Sequence, residues 1–239
     1  GQRIMEYQSA FQKAGSLVKV NSFLRSVYNW MAIGLLLTAF TAFFVASTPA
    51  LHQVIYGNPM VLFGMIIGEL VLVFTLASRV QKLKASTATT MFVVYAVLNG
   101  AVLSSIFLVY TSASIVSTFF VCAMTFGAFS VYGMVTKRDL TSVGSFAFMG
   151  LIGIIIASVV NMFIQSNMMT MLISYIGVIV FVGLTAYDTQ KLKEMAMNQP
   201  ADATGAMIRK GSIMGALSLY LDFINLFIML LHIMGVARD

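Results

Sequence analysis

Four ionisable side chains stand inside or at the ends of long apolar runs: Glu69, Arg79, Asp188 and Asp222. At hydrocarbon depth each costs about 2.5–3.5 kcal/mol on insertion scales, so each needs a cavity, a partner or a proton. Carboxylates in that setting can trade protons or hold a hard cation. Asp222 is the most informative of the four. Gly211, Gly215, Ser218, Asp222, Asn225, Met229 and His232 follow one another at spacings of 4, 3, 4, 3, 4 and 3. At about 100° per residue they form one stripe of a helix. The remaining faces carry Leu, Ile, Phe and Met. Gly211 and Gly215 fit close helix packing, but packing does not call for a carboxylate. The stripe therefore points at protein or water.

Asp188 follows Tyr187 and precedes Thr189, Gln190 and Lys191, near the end of its own apolar run. A solvated, interfacial Asp fits that position too. With residues 198–205 as a hairpin turn, Asp188 and Asp222 differ in depth by about 10 Å at 1.5 Å per residue. A tilt or offset closes that gap, so geometry permits a pair without demanding one. Arg79 lies ten residues after Glu69, about 15 Å along a helix, so these two cannot satisfy each other. Arg79 either snorkels to the interface or reaches a carboxylate on a neighbouring helix, with Asp188 as the candidate. Glu69, at mid-depth, faces a cavity or carries a proton. Asn99, Ser104, Ser105, Asn161 and Gln165 line the same interior or simply bond between helices.

The elements that must position these groups are membrane-spanning helices. Of 239 residues, 59% are hydrophobic and 9% charged, and mean hydropathy is +0.93. A soluble domain carries about 25% charge. Seven runs approach the ~20 residues that span a bilayer: 27–48, 58–79, 88–109, 113–135, 144–165, 168–189 and 209–235. Thr48-Pro49, Gly57-Asn58-Pro59 and Asn198-Gln199-Pro200 mark tight links. The expected fold is an all-α integral membrane bundle: a polar N-terminal segment over 1–26, then one seven-helix domain over 27–239. No cleavable signal peptide is expected, and the lone Cys122 allows no intrachain disulfide.

The net charge of +6 does not point to nucleic acid, because the basic residues cluster in alternate links. Thirteen of the 14 lie on one side: Arg3, Lys13, Lys19 and Arg25 before the first span, then Arg79, Lys82 and Lys84, then Lys137 and Arg138, then Lys191, Lys193, Arg209 and Lys210. Only Arg238 lies opposite. The positive-inside rule makes the rich side cytoplasmic. The expectation is a multi-pass protein of the cell inner membrane, N-terminus inside and C-terminus outside.

Two stretches together resemble a known family. Phe181-Val-Gly-Leu-Thr-Ala-Tyr-Asp-Thr-Gln190 resembles the Asp-Thr-Gln segment of the Bax-inhibitor (transmembrane Bax-inhibitor-motif, or lifeguard) proteins. Leu217-Ser-Leu-Tyr-Leu-Asp-Phe-Ile-Asn-Leu-Phe227 resembles the Leu-Asp-Phe-Ile segment of their last helix. Val135-Thr-Lys-Arg-Asp139, with Gly144 and Gly150 after it, resembles their fourth-to-fifth link. The family's Gly-Pro in the third helix is replaced by Leu98-Asn-Gly-Ala-Val-Leu-Ser-Ser105, and the long basic C-terminal tail of many eukaryotic members is missing. The likeness is to a bacterial-type member and to the pH-sensitive calcium-leak homologue.

The resemblance implies six helices around a central seventh and a pH-dependent calcium leak. It makes Asp188 and Asp222 the pH-sensing gate pair and weak metal ligands, Arg79 the gating latch, and Glu69 part of the cation path. Asn225 and Ser218 join that path from the polar stripe. Two close carboxylates share a proton and titrate as a unit. Losing the proton creates repulsion and frees oxygens for Ca²⁺, although a tight calcium cage needs about six to eight of them. Expected partners are the bilayer, calcium ions and protons, with no nucleic acid and no cofactor.

Rival readings fare worse. Tyr187-Asp188 matches half the signature of intramembrane aspartyl proteases, but the Gly-x-Gly-Asp half reads Leu219-Tyr-Leu-Asp222 here. A retinal protein needs a Lys in the last helix, and none stands between Gly211 and Gly235. No catalytic residues are assigned and no enzyme is expected. The alternative with most standing is a non-transporting bundle that binds and regulates another membrane protein, such as a quality-control protease.

Overall fold

Proline and asparagine punctuate the apolar runs where helices begin and end. The computed structural model describes residues 1–239, apart from the side chain of Ser16. Helix α1 (Gln2–Ala46) stops just before Thr48, and Pro49 opens the short α2 (Pro49–Tyr56). Pro59 opens α3 (Pro59–Arg79), with the Asn58 side chain accepting from the Met60 amide at 3.0 Å. Proline suits the first helical turn because its missing N–H has no partner there anyway. Next come α4 (Ala85–Leu103), α5 (Ile106–Val109), α6 (Ser112–Val135) and α7 (Thr141–Ile164). A single left-handed residue, Gln165, closes α7 before α8 (Asn167–Met197), and α9 (Gly205–Met234) ends the bundle.

Seven of these units are long and apolar enough to cross a membrane, with α4 and α5 counted as one. The third span is interrupted at Ser104, which is buried and turns its hydroxyl back onto the Ala101 carbonyl at 2.7 Å. Two helices outrun their expected limits. Residues 2–26 are helix continuous with the first span, making α1 about 67 Å long, and α8 continues past 189 to Met197. Hydropathy marks only the lipid-crossing part of a helix, so polar extensions escape it.

Helix α9 lies at the centre. Within its apolar window 61% of residues are buried, against 11% for α3, and it packs on α1, α4, α6 and α8. Three aromatic and polar contacts pin it. Tyr220 stacks edge-on against Phe92, Phe223 against Phe126, and the Arg209 guanidinium sits 5.1 Å over the Trp30 ring. Helix α7 packs mainly on α8, which leaves space between α7 and α9.

Candidate functional site

Close helix approach builds the site. A methyl group at Gly144 would stand 2.5 Å from the Tyr187 ring, and one at Gly150 would stand 2.8 Å from Val180. One at Gly133 would overlap the Ala186 carbonyl. These glycines let α6 and α7 press onto α8 and fix its rotation. The Asp-Thr-Gln segment then divides its work among three directions. Asp188 turns into a cavity between α7, α8 and α9. Thr189 is buried and bonds Ser130 of α6 at 3.0 Å, and Ser130 meets the Tyr28 hydroxyl at 2.5 Å. Gln190 clamps the α6–α7 link: its amide donates to the Arg138 carbonyl at 2.7 Å and its Oε1 accepts from the Leu140 amide at 2.9 Å. In that link the Asp139 carboxylate accepts from the Thr141 amide and hydroxyl. Those two bonds hold its pKa below the ordinary carboxylate value.

Asp222 comes to the same cavity from α9. It is 5% exposed, and its Oδ2 is buried without a hydrogen-bond partner among the described residues. The half-buried Asp188 faces it at hydrogen-bonding range. Asp188 stands nine residues before the end of α8 and Asp222 seventeen after the start of α9. The helices therefore meet with a stagger of about 12 Å, closing the depth difference expected from the hairpin. The cavity holds about 510 Å³ and is also lined by Ser218, Asn225, Tyr187 and Lys191. Among the described residues no three His, Cys, Asp or Glu side chains gather as a metal cage. Two carboxylates and neutral oxygens can hold a cation only loosely.

The structure thus brings Asp188, Asp222, Ser218 and Asn225 together and leaves Glu69 and Arg79 elsewhere. Arg79 is exposed in the last turn of α3 and does not line this cavity. Glu69 is half-buried, with Oε1 unpartnered, and lies within electrostatic reach of Tyr95 and Tyr220. Tyr220 is two residues from Asp222 and so faces the other way across α9.

There it organises a network that the sequence alone does not disclose. Thr38 spends its only proton on the Ala96 carbonyl (2.7 Å), so it accepts from Tyr220 (2.5 Å), while Asn99 donates to the Tyr220 oxygen at 2.8 Å. Of this network only Asn99 is conspicuous in the sequence, as a polar residue in an apolar span.

Known proteins share this arrangement of sequence. The family model described as "Inhibitor of apoptosis-promoting Bax1" matches residues 20–239. The inner membrane protein YbhL of Escherichia coli K12 is 50% identical over 232 residues, covering 95% of this chain and 99% of the relative. An uncharacterized protein of Borreliella burgdorferi is 42% identical, covering 95% and 97%. An uncharacterized membrane protein of Streptococcus pyogenes serotype M1 is 38% identical, covering 91% and 94%. Both segments around the paired aspartates lie within the matched residues, and the chain belongs to the Bax inhibitor family.

Proposed function

We propose that this chain is a multi-pass protein of the bacterial inner membrane that passes cations, calcium among them, through a pH-sensitive leak gated by Asp188 and Asp222. The observation that carries the reading is the unpartnered Oδ2 of Asp222, buried against a second carboxylate at the wall of a cavity. A buried carboxylate oxygen without a donor is costly, and a proton shared with Asp188 removes that cost. The shared proton latches α8 to α9. Its loss as pH rises sets two negative charges against each other and offers their oxygens to a cation. Lys191 is the other charged group lining the cavity.

Cation flux from purified protein in liposomes tests this. Wild-type Ca²⁺ flux is expected to rise with pH across about two units. Asp188→Asn and Asp222→Asn should each alter the midpoint and steepness, and the double variant should resemble the singles rather than their sum, as coupled sites do. A flux–pH curve left intact by Asp222→Asn in folded protein removes the pair as sensor.

Arg79 as a latch requires a state in which it reaches Asp188. Arg79→Ala then raises leak at neutral pH, and Arg79→Lys restores closure only in part, lacking the bidentate fork. Unchanged flux in both leaves Arg79 as an interfacial anchor. One observation favours the non-transporting alternative: Ile4, Tyr7, Phe11 and Val18 stand exposed along the first turns of α1, an apolar edge open to a membrane-protein partner. No wild-type flux at any pH would favour that reading.

A further inference from the structure

The seam between α7, α8 and α9 holds a second cavity. It encloses about 220 Å³ and is lined by Ser158 and Asn161 of α7, Thr170 and Ser174 of α8, and Met229 and His232 of α9. Its polar groups are ordered by one another. Asn161 donates to the Thr170 hydroxyl at 2.8 Å, and the Ser174 hydroxyl approaches the His232 Nδ1 at 3.4 Å. His232 lies ten residues beyond Asp222 on the polar stripe of α9, about 15 Å along the axis. The aspartate cavity and this one therefore open on the same seam at different depths.

What separates them can be read on all three helices. On α7, Leu151 lines the first cavity and Ser158 the second, and Ile154 between them is 6% exposed. On α8, Phe181 lines the first and Ser174 the second, and Gly177 between them is buried. On α9, Asn225 lines the first, and Met229 and His232 line the second, Met229 forming its wall on the side of Asn225. Met229 lies flat on Gly177: a methyl group there would stand 2.8 Å from its Cγ and Sδ.

We propose that these two cavities are halves of one cation path, and that Met229, seated on Gly177, is the apolar barrier between them. This rests on the leak reading above and adds its route. An apolar constriction between two polar cavities blocks ions by excluding water. Methionine suits a barrier that yields, because its unbranched side chain has three rotatable bonds and can move aside without moving backbone. Glycine at 177 leaves room for that side chain, which any larger residue would take. The route explains why the polar stripe of α9 runs past Asp222 to His232.

The test uses the full chain carrying Cys122→Ser in liposomes, with two readouts. The first is Ca²⁺ flux. Met229→Ala is expected to raise it several-fold. Met229→Gln, which keeps the side-chain length but places an amide in the barrier, should raise it as well, while Met229→Leu, apolar but branched and less able to move aside, should lower it. Unchanged flux in both Met229→Ala and Met229→Gln, in protein that melts like wild type, overturns the barrier. The second readout does not depend on conduction. An impermeant thiol reagent should reach Asn225→Cys from one face of the membrane and His232→Cys from the opposite face only. Adding Met229→Ala should let it reach Asn225→Cys from both. Labelling of both positions from the same face, or of neither, overturns the two-cavity path. Absent wild-type flux with labelling from opposite faces would instead reject the leak reading and keep the divided seam.

Discussion

A buried hydroxyl is the least forgiving polar group in this bundle, because in lipid-facing helices no water stands by to replace a lost partner. Tyr220 is fully buried, donating to Thr38 and accepting from Asn99. Tyr220→Phe is expected to destabilise the protein by about 1–3 kcal/mol, since Thr38 and Asn99 would keep their burial and lose their partner. A lower thermal midpoint in detergent, restored in part by pairing Tyr220→Phe with Asn99→Leu, would show that the cost is the unpaired amide. At this scale the sequence was legible where a residue violates its solvent. A carboxylate in an apolar run announces itself, and Asp222 did. Tyr220 and Thr38 do not, because Tyr and Thr are ordinary residues of membrane helices. Their pairing depends on contacts more than 180 positions apart in the chain. The separate placements of Glu69 and Asp222 were equally hidden, since depth along a helix is readable from sequence but the direction it faces inside a bundle depends on neighbours.

Between residues and bundle, the helices are set by prolines at their starts and by glycines at their crossings. Pro49 and Pro59 were legible as links because proline's chemistry is local. The break at Ser104 was not, since serine bends a helix only when its hydroxyl turns onto a carbonyl of the preceding turn. The crossing of α6 and α8 rests on Gly133, where any Cβ would meet the Ala186 carbonyl. Gly133→Ala is therefore expected to cost about 1–3 kcal/mol through overpacking and to shift α8, which carries Asp188 one turn or less away. Gly127→Ala on the same helix, where a Cβ would meet nothing within 4 Å, should be neutral or slightly stabilising. Equal thermal midpoints for the two variants would show that the crossing tolerates a methyl group and that Gly133 does not set the position of α8.

For the molecule as a whole, the count of crossings fixes which termini share a side. Seven spans put the ends of the chain at opposite ends of the bundle, and the C-terminal residues are anchored there. Ala237 pairs with Tyr110, the Arg238 amide donates to the Val109 carbonyl, and the Arg238 side chain donates to the Tyr110 carbonyl and the Ser112 hydroxyl. The one basic residue outside the rich side is thus held against the α5–α6 turn, its charge spent on local oxygens, and it adds little to the orienting imbalance. The other thirteen favour an inward N-terminus. Impermeant thiol labelling of intact cells decides it, with Gln8→Cys or Arg238→Cys in a Cys122→Ser background. Position 238 is expected to label from outside and position 8 only after the membrane is opened. Because Arg238→Cys also removes the anchoring bonds, Asp239→Cys serves as its control, and the two should label alike. Labelling of position 8 in intact cells would invert the protein. The aspartate cavity would then open toward the outer face, and the pH sensed by Asp188 and Asp222 would be that of the surroundings rather than of the cytoplasm.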